Sequence, residues 1–191
     1  LSDEIEQFKQ DVDKDDSMDD ICSQLVNVQM MSKLSEVIGT NCTIMDTGTN
    51  KHHSFNHKKW FPEGTHEVAP KTSVCASNCT TTITQMGTAW VKLTDVSGKQ
   101  RVLSFKDCTF QPELPANLMC VDKLLFRGDT PTQHHIDFQA LKFKLNHGTD
   151  NEFSINMERK CSLPLLRITP MTPQEVRALR SGHKVVNPHE K

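Results

Sequence analysis

The stretch TNCTIMDTGTNKHHSF (Thr40–Phe55) decides how this chain is read. Apolar Ile44 and Met45 run straight into Asp46-Thr47-Gly48. Aspartate is a poor strand residue and is costly to bury. An acid at the end of an apolar strand is either an accident of composition or a functional group held in place. Asp-Thr-Gly alone is a weak motif, because three common residues coincide often. Its context adds weight: two apolar residues precede it, a polar turn follows, and then comes a β-rich stretch of small-domain length. Chemistry accounts for the residue types. A carboxylate at a strand-to-loop turn can work with a second carboxylate and a water. Gly48 permits close backbone approach, and the Thr47 hydroxyl can anchor the loop.

The chain has 191 residues, enough for one domain with a core plus extensions. A formal charge of −2 excludes a strong whole-chain field toward nucleic acid or membrane. Apolar runs are only a few residues long, so no transmembrane helix is predicted. The acidic, polar start does not read as a secretory signal. A first residue of Leu reads as a fragment or a processed product. Seven cysteines, scattered and odd in number, argue against a disulfide framework and fit a reducing compartment. Cys75-x-x-x-Cys79 with His52, His53 and His57 offers an alternative zinc reading, although no second cysteine pair lies at ligand spacing. Lys51, Lys58, Lys59 and Trp60 beside the histidines offer a nucleic-acid variant of it, by phosphate contact and base stacking.

Residues 1–20 hold nine acids against two lysines and read as a solvated acidic segment. Ile21, Leu25, Val28, Met31 and Leu34 then recur at helical spacing, with Gly39 as the stop. From Cys42 to Leu145 short β-branched runs alternate with turn signals. DVSGKQ reads as a hairpin turn carrying Gly98. QPELPANL, with two prolines, reads as an extended link. NLMCVDKLLFRG (Asn117–Gly128) is predicted to be a short helix ending at Gly128. IDFQALKFKL and EFSINME are predicted strands about a turn at NHGTDN. Residues 171–191 read as a loosely attached tail, with a capped short helix in TPQEVRALRSG.

Two segments together resemble the retropepsins, the aspartic proteases of retroviruses and LTR retrotransposons, and most of all the Ty1/copia type. That type reads apolar-apolar-Asp-Ser-Gly-Ala-Ser-x-His, against Ile44-Met45-Asp46-Thr47-Gly48-Thr49-Asn50-Lys51-His52 here. Its later segment, V-L-Y-V-P-x-L-x-x-N-L-L-S-V-x-x-L, lies nearly in register with Asp107–Leu124, which contains Leu118-Met119-Cys120. The similarity spans about residues 42–165. Thr49 stands where Ala is usual, Cys120 stands where Ser, Ala or Gly is usual, and the chain has no tyrosine.

The resemblance implies an all-β fold: a small closed barrel with one short helix, working as a C2 homodimer. It divides the chain into an acidic linker and helix (1–38), a protease domain (39–169) and a tail toward the next polyprotein segment (170–191). It makes Asp46 catalytic, supported by Thr47, Gly48 and Thr49, with the Thr47 hydroxyls bonding across the two-fold axis. It places a flap hairpin over Ser73–Thr82 that includes Cys75, Ala76, Ser77, Asn78 and Cys79, with its tip near Ala76-Ser77-Asn78. The implied activity is endoproteolysis of a Gag-Pol polyprotein, itself included, in the cytoplasm within a virus-like particle. No cofactor or metal is required, and no membrane or direct nucleic-acid partner is implied. The alternatives are an inactive retropepsin-like dimerisation module and the small zinc or nucleic-acid module.

Overall fold

The computed structural model describes residues 38–47, 52–74, 80–160 and 162–182. The acidic segment, the predicted helix at 21–34, Gly48, Thr49, the expected flap residues 75–79 and the end of the tail lie outside these residues.

The described chain is mostly β-sheet with two short α-helices. Its first strand, β1 (Cys42–Asp46), is buried on both faces up to Met45, as a central strand must be. Met45 enters the main core, while Cys42 and Ile44 face a second cluster with Ile38, Ala116 and Leu165. After β1 come β2 (Ser54–Phe55) and a 3-10 turn at Lys58–Trp60. Two long strands follow, β3 (Thr65–Val74) and β4 (Thr80–Thr94), and then β5 (Gln100–Phe110). In β4, Ala89, Val91 and Leu93 face inward at the period-2 spacing of a half-buried strand. β6 (Asn117–Cys120) runs directly into α1 (Val121–Leu125). Short strands β7 (Phe126–Arg127) and β8 (Thr130–Pro131) pair with each other. β9 (His135–Asp137), β10 (Lys142–Leu145) and β11 (Phe153–Asn156) form a three-stranded sheet. The chain continues through β12 (Glu158–Lys160), β13 (Leu163–Arg167), β14 (Thr169–Pro170) and α2 (Pro173–Arg180).

Nine strands share one sheet in the order β12-β13-β1-β6-β2-β5-β4-β14, with β3 also on β4. This path is open, and the described strands make no closed barrel. Two pairings are parallel: β1 with β6, and β2 with β5. The main core gathers Phe55, Trp60, Phe61, Val91, Met119, Leu124, Phe143, Leu166 and Ile168 beneath the sheet. Gly87 is where β4 crosses the loop after the 3-10 turn. A Cβ there would lie 2.9 Å from the Gly64 carbonyl oxygen and from Phe61 Cδ1, so no larger residue fits. No described helix is long and apolar enough to cross a membrane.

Two sequence expectations are corrected. Asn117–Cys120 is a strand rather than the start of a helix, because β1 and β2 take it from either side. Only Val121–Leu125 is helical, and Gly128 (φ 64°) turns β7 into β8. The tail is not loose over 170–182. β14 pairs with β4, and Met171 and Val176 are buried. The capped helix is present, with Thr172 and Glu175 in a reciprocal capping box and Pro173 in the first turn. It is pinned by Lys92 Nζ to Glu175 (2.6 Å) and by Arg180, which bonds Glu63 at 2.9 Å and lies over the Trp90 ring.

The β4–β5 hairpin forms where DVSGKQ predicts it, with Gly98 at φ 83°. Its organising group is the buried Asp95 carboxylate, which accepts bonds from the Ser97 amide and hydroxyl, the Lys99 amide and Arg101 Nε. The Ser97 hydroxyl, ahead of the Arg101 guanidinium and the two amides, holds this carboxyl well below the usual carboxylate range. A depressed folded pKa contributes stability that is present above the unfolded value of about 4 and is lost as pH falls toward the folded one. Asp95→Asn is therefore expected to lower Tm at pH 7, with the gap to wild type narrowing as pH drops below about 4. Thermal melts followed by circular dichroism across that range check this. A gap independent of pH rejects the assignment.

Candidate active site

The Asp46 side chain is half-buried at the C-terminal end of β1, and Thr47 beside it is exposed. What surrounds it follows from the parallel ladder. Thr43, Ile44, Met45 and Asp46 lie opposite Asn117, Leu118, Met119 and Cys120. The two segments singled out in the sequence, 71 residues apart at Asn117 and Asp46, are thus neighbours rung by rung. The last rung sets Asp46 beside Cys120, where β6 ends and α1 begins.

Four hydrogen bonds hold β6 in place, one of them to β1. Asn117, 2% exposed, donates from Nδ2 to the Cys42 carbonyl (2.9 Å) and accepts the Asn56 amide on Oδ1 (3.2 Å). The Cys120 sulfur caps α1 by accepting the Lys123 amide at 3.4 Å. The Cys120 amide donates to His53 Nδ1 at 3.1 Å. A small residue is needed at Cys120, which is fully buried, and cysteine meets that demand while adding an acceptor.

β5 supplies the support behind. Its register against β4 shifts between Gly87 and Ala89, and Asp107 sits there at φ 55°, a β-bulge. The bulge turns two carbonyls out of the ladder. Lys123 Nζ takes that of Lys106 (3.1 Å), and His52 Nδ1 lies 2.9 Å from that of Asp107. Deeper down, the Thr109 hydroxyl donates to Ser54 Oγ (2.8 Å), and Gln111 Nε2 donates to both oxygens. This buried polar set joins β2 to β5. It was not singled out from the sequence, because three polar residues in a β-run carry no spacing signal.

The histidines of the zinc alternative do not converge. The His52 ring goes to the Asp107 carbonyl, His53 to the Cys120 amide, and His57 Nδ1 to the Lys59 amide. Among the described residues no three His, Cys, Asp or Glu side chains are grouped as a metal would need. The nucleic-acid variant loses its aromatic platform, since Trp60 is fully buried against Phe55 in the main core. Cys42, Cys108 and Cys120 are buried thiols outside any disulfide. Burial pushes the Cys108 thiol up to about 12, so it is an inert core group.

The β3–β4 hairpin, expected to be the flap, is described up to residues 74 and 80. β3 and β4 stay paired to Ser73↔Thr81 and Val74↔Thr80, while Cys75, Ala76, Ser77, Asn78 and Cys79 lie outside the described residues, as do Gly48 and Thr49.

No family model matches this chain, and no curated protein and no solved structure matches it.

Proposed function

We propose that this chain is an aspartic endopeptidase of retropepsin type, cleaving segments of its own polyprotein, and that it works as a two-fold homodimer. The observation that carries this reading is the parallel pairing of Ile44-Met45-Asp46 with Leu118-Met119-Cys120 at the turn into α1. That pairing gives the two motif segments one structural purpose: to hold a carboxylate at the end of a rigid, buried strand.

One chain carries one Asp-Thr-Gly, and the chemistry needs two carboxylates. Two-fold symmetry supplies the second as Asp46 of another copy. Two acids at such an axis cannot both ionise readily, so they share one proton and titrate as a pair. The ionised member takes a proton from a bound water as the water oxygen attacks the peptide carbonyl. The protonated member hydrogen-bonds the developing oxyanion. The tetrahedral intermediate then collapses, and a proton passes to the leaving amine nitrogen. The β3–β4 hairpin covers the substrate and excludes water. The cytoplasmic particle of a retroelement is the setting this reading assigns.

The test is incubation of the purified chain with a longer precursor that contains it, with and without pepstatin. Cleavage that pepstatin blocks is expected. Specific activity is also expected to fall on dilution below the dimer dissociation constant. An active species that sediments as a monomer ends the two-fold reading, and absence of cleavage at every protein concentration ends the protease reading.

A further inference from the structure

We infer that His53 is a positioning residue for Asp46, acting through the backbone amide of Cys120 across the last rung of the β1–β6 ladder. The inference rests on Asp46 being the reacting group.

The geometry begins with where the ladder stops. β2 pairs with β6 by a single rung, Ser54↔Leu118. Beyond it the His53 carbonyl turns to β5, where it accepts the Thr109 amide at 2.9 Å. The next inward amide of β6, that of Cys120, is met instead by the His53 ring at 3.1 Å. The side chain thus continues, past the Ser54–Leu118 rung, the contact of this segment with β6. The ring itself is fixed: it is 3% exposed and packs edge-on against Phe105 of β5 at 4.9 Å.

The residue type fits this task. The acceptor must be stiff, buried and uncharged, since a carboxylate here would set a second negative charge behind Asp46. An imidazole that accepts at Nδ1 carries its proton on Nε2 and is neutral. The groups that face it are Lys123 from α1 and His52 from its own segment; β5 presents Phe105 and β6 presents the Cys120 amide. Burial first, then Lys123 and His52, pushes the His53 pKa down to about 3, so the ring stays a neutral acceptor well below the usual imidazole range. Losing the acceptor would remove the His53 bond from a buried amide at the rung that holds Asp46. The turn would then shift to find a partner, and displacement of a reacting group by about 1 Å costs on the order of 100-fold in rate.

Three proteins test this: wild type, His53→Leu and His53→Asn. Leu keeps the volume and removes the acceptor, whereas Asn Oδ1 returns an acceptor at the position of Nδ1. Hydrogen exchange at the Cys120 amide, read by NMR, reports the contact without any need for activity. Peptide cleavage then gives kcat and KM separately. In His53→Leu, exchange is expected to be at least about tenfold faster, and kcat to fall by about 10- to 100-fold with KM within about twofold. In His53→Asn both quantities are expected to return to within a few-fold of wild type. Unchanged exchange in His53→Leu overturns the contact. An equal loss of kcat in both variants shows that returning an acceptor does not restore the site and overturns the positioning role. A wild-type protein that cleaves nothing overturns the protease reading and the role with it, and the exchange arm tells that failure apart from failure of the contact.

Discussion

If the proposed protease reading holds, Asp46→Asn is expected to abolish peptide cleavage while leaving the fold and the proposed dimer in place. Asparagine has the same shape as aspartate but can neither accept the proton of water nor hold one for the oxyanion. Positioned acid and base groups each contribute on the order of 100- to 10,000-fold, and this change removes both roles from both copies. The rate should therefore drop by on the order of 1,000-fold or more, below detection in an ordinary assay. The fold should tolerate it, because the Asp46 side chain is only half-buried at a strand end and the ladder beneath it is backbone. A second measurement reads the symmetry. If one site is built from two chains, an excess of the Asn variant mixed with wild type should suppress the wild-type activity by forming mixed dimers. Activity retained by a clean Asp46→Asn preparation would remove Asp46 from the mechanism, and wild-type activity unaffected by excess variant would remove the shared site.

The parts of this architecture legible in the sequence are those decided locally. The β4–β5 hairpin is announced by alternation on both sides of DVSGKQ, and Asp95 and Gly98 do there what turn residues do. The helix at Pro173–Arg180 is announced by its capping box. The end of β1 is announced by apolar residues stopping at an acid. What escaped the reading was decided by contacts far apart in the chain. Asn117–Cys120 has the composition of a helix start, and only β1 and β2 on its flanks make it a strand. IDFQALKFKL looked like one strand, but Asp137 accepts the Gln139 and Ala140 amides, and Leu141 takes φ 49°, so β9 folds back on β10. The bulge at Asp107 has a faint signal, since aspartate tolerates the left-handed region. It matters only because Lys123 and His52 collect the carbonyls it exposes. The clustered histidines suggest metal in the sequence, while the burial of His53 and its aim at Cys120 exist only in the folded chain.

Asn117 carries the second large expected effect, this time on stability. Its amide bridges the two strands of the site to the loop after β2, with Nδ2 on the Cys42 carbonyl and Oδ1 on the Asn56 amide. Asn56 in turn donates from its own side chain to the Leu114 carbonyl at 3.0 Å, so the bridge extends to the link that precedes β6. Asn117→Ala removes both partners at once and fills none of the space. A buried backbone group left without a partner costs about 1–3 kcal/mol. Asn56 is only partly enclosed, so its amide recovers some of its loss from water, and the net destabilisation should be about 2–4 kcal/mol. Against a usual domain stability of about 5–15 kcal/mol, that is a large fraction. The urea midpoint should fall markedly with little change in slope. Asn117→Asp separates donor from acceptor: it keeps an acceptor for the Asn56 amide but sets a buried carboxylate against the Cys42 carbonyl. That carboxyl should have a raised folded pKa, because burial and the facing oxygen both disfavour its charge. A raised pKa makes the folded state relatively more stable as pH falls, so this variant should recover part of its loss between pH 7 and 5 while Asn117→Ala does not. A loss under about 1 kcal/mol for Asn117→Ala, or matching pH profiles for the two variants, would mean that the β1–β6 pair is held by its ladder alone.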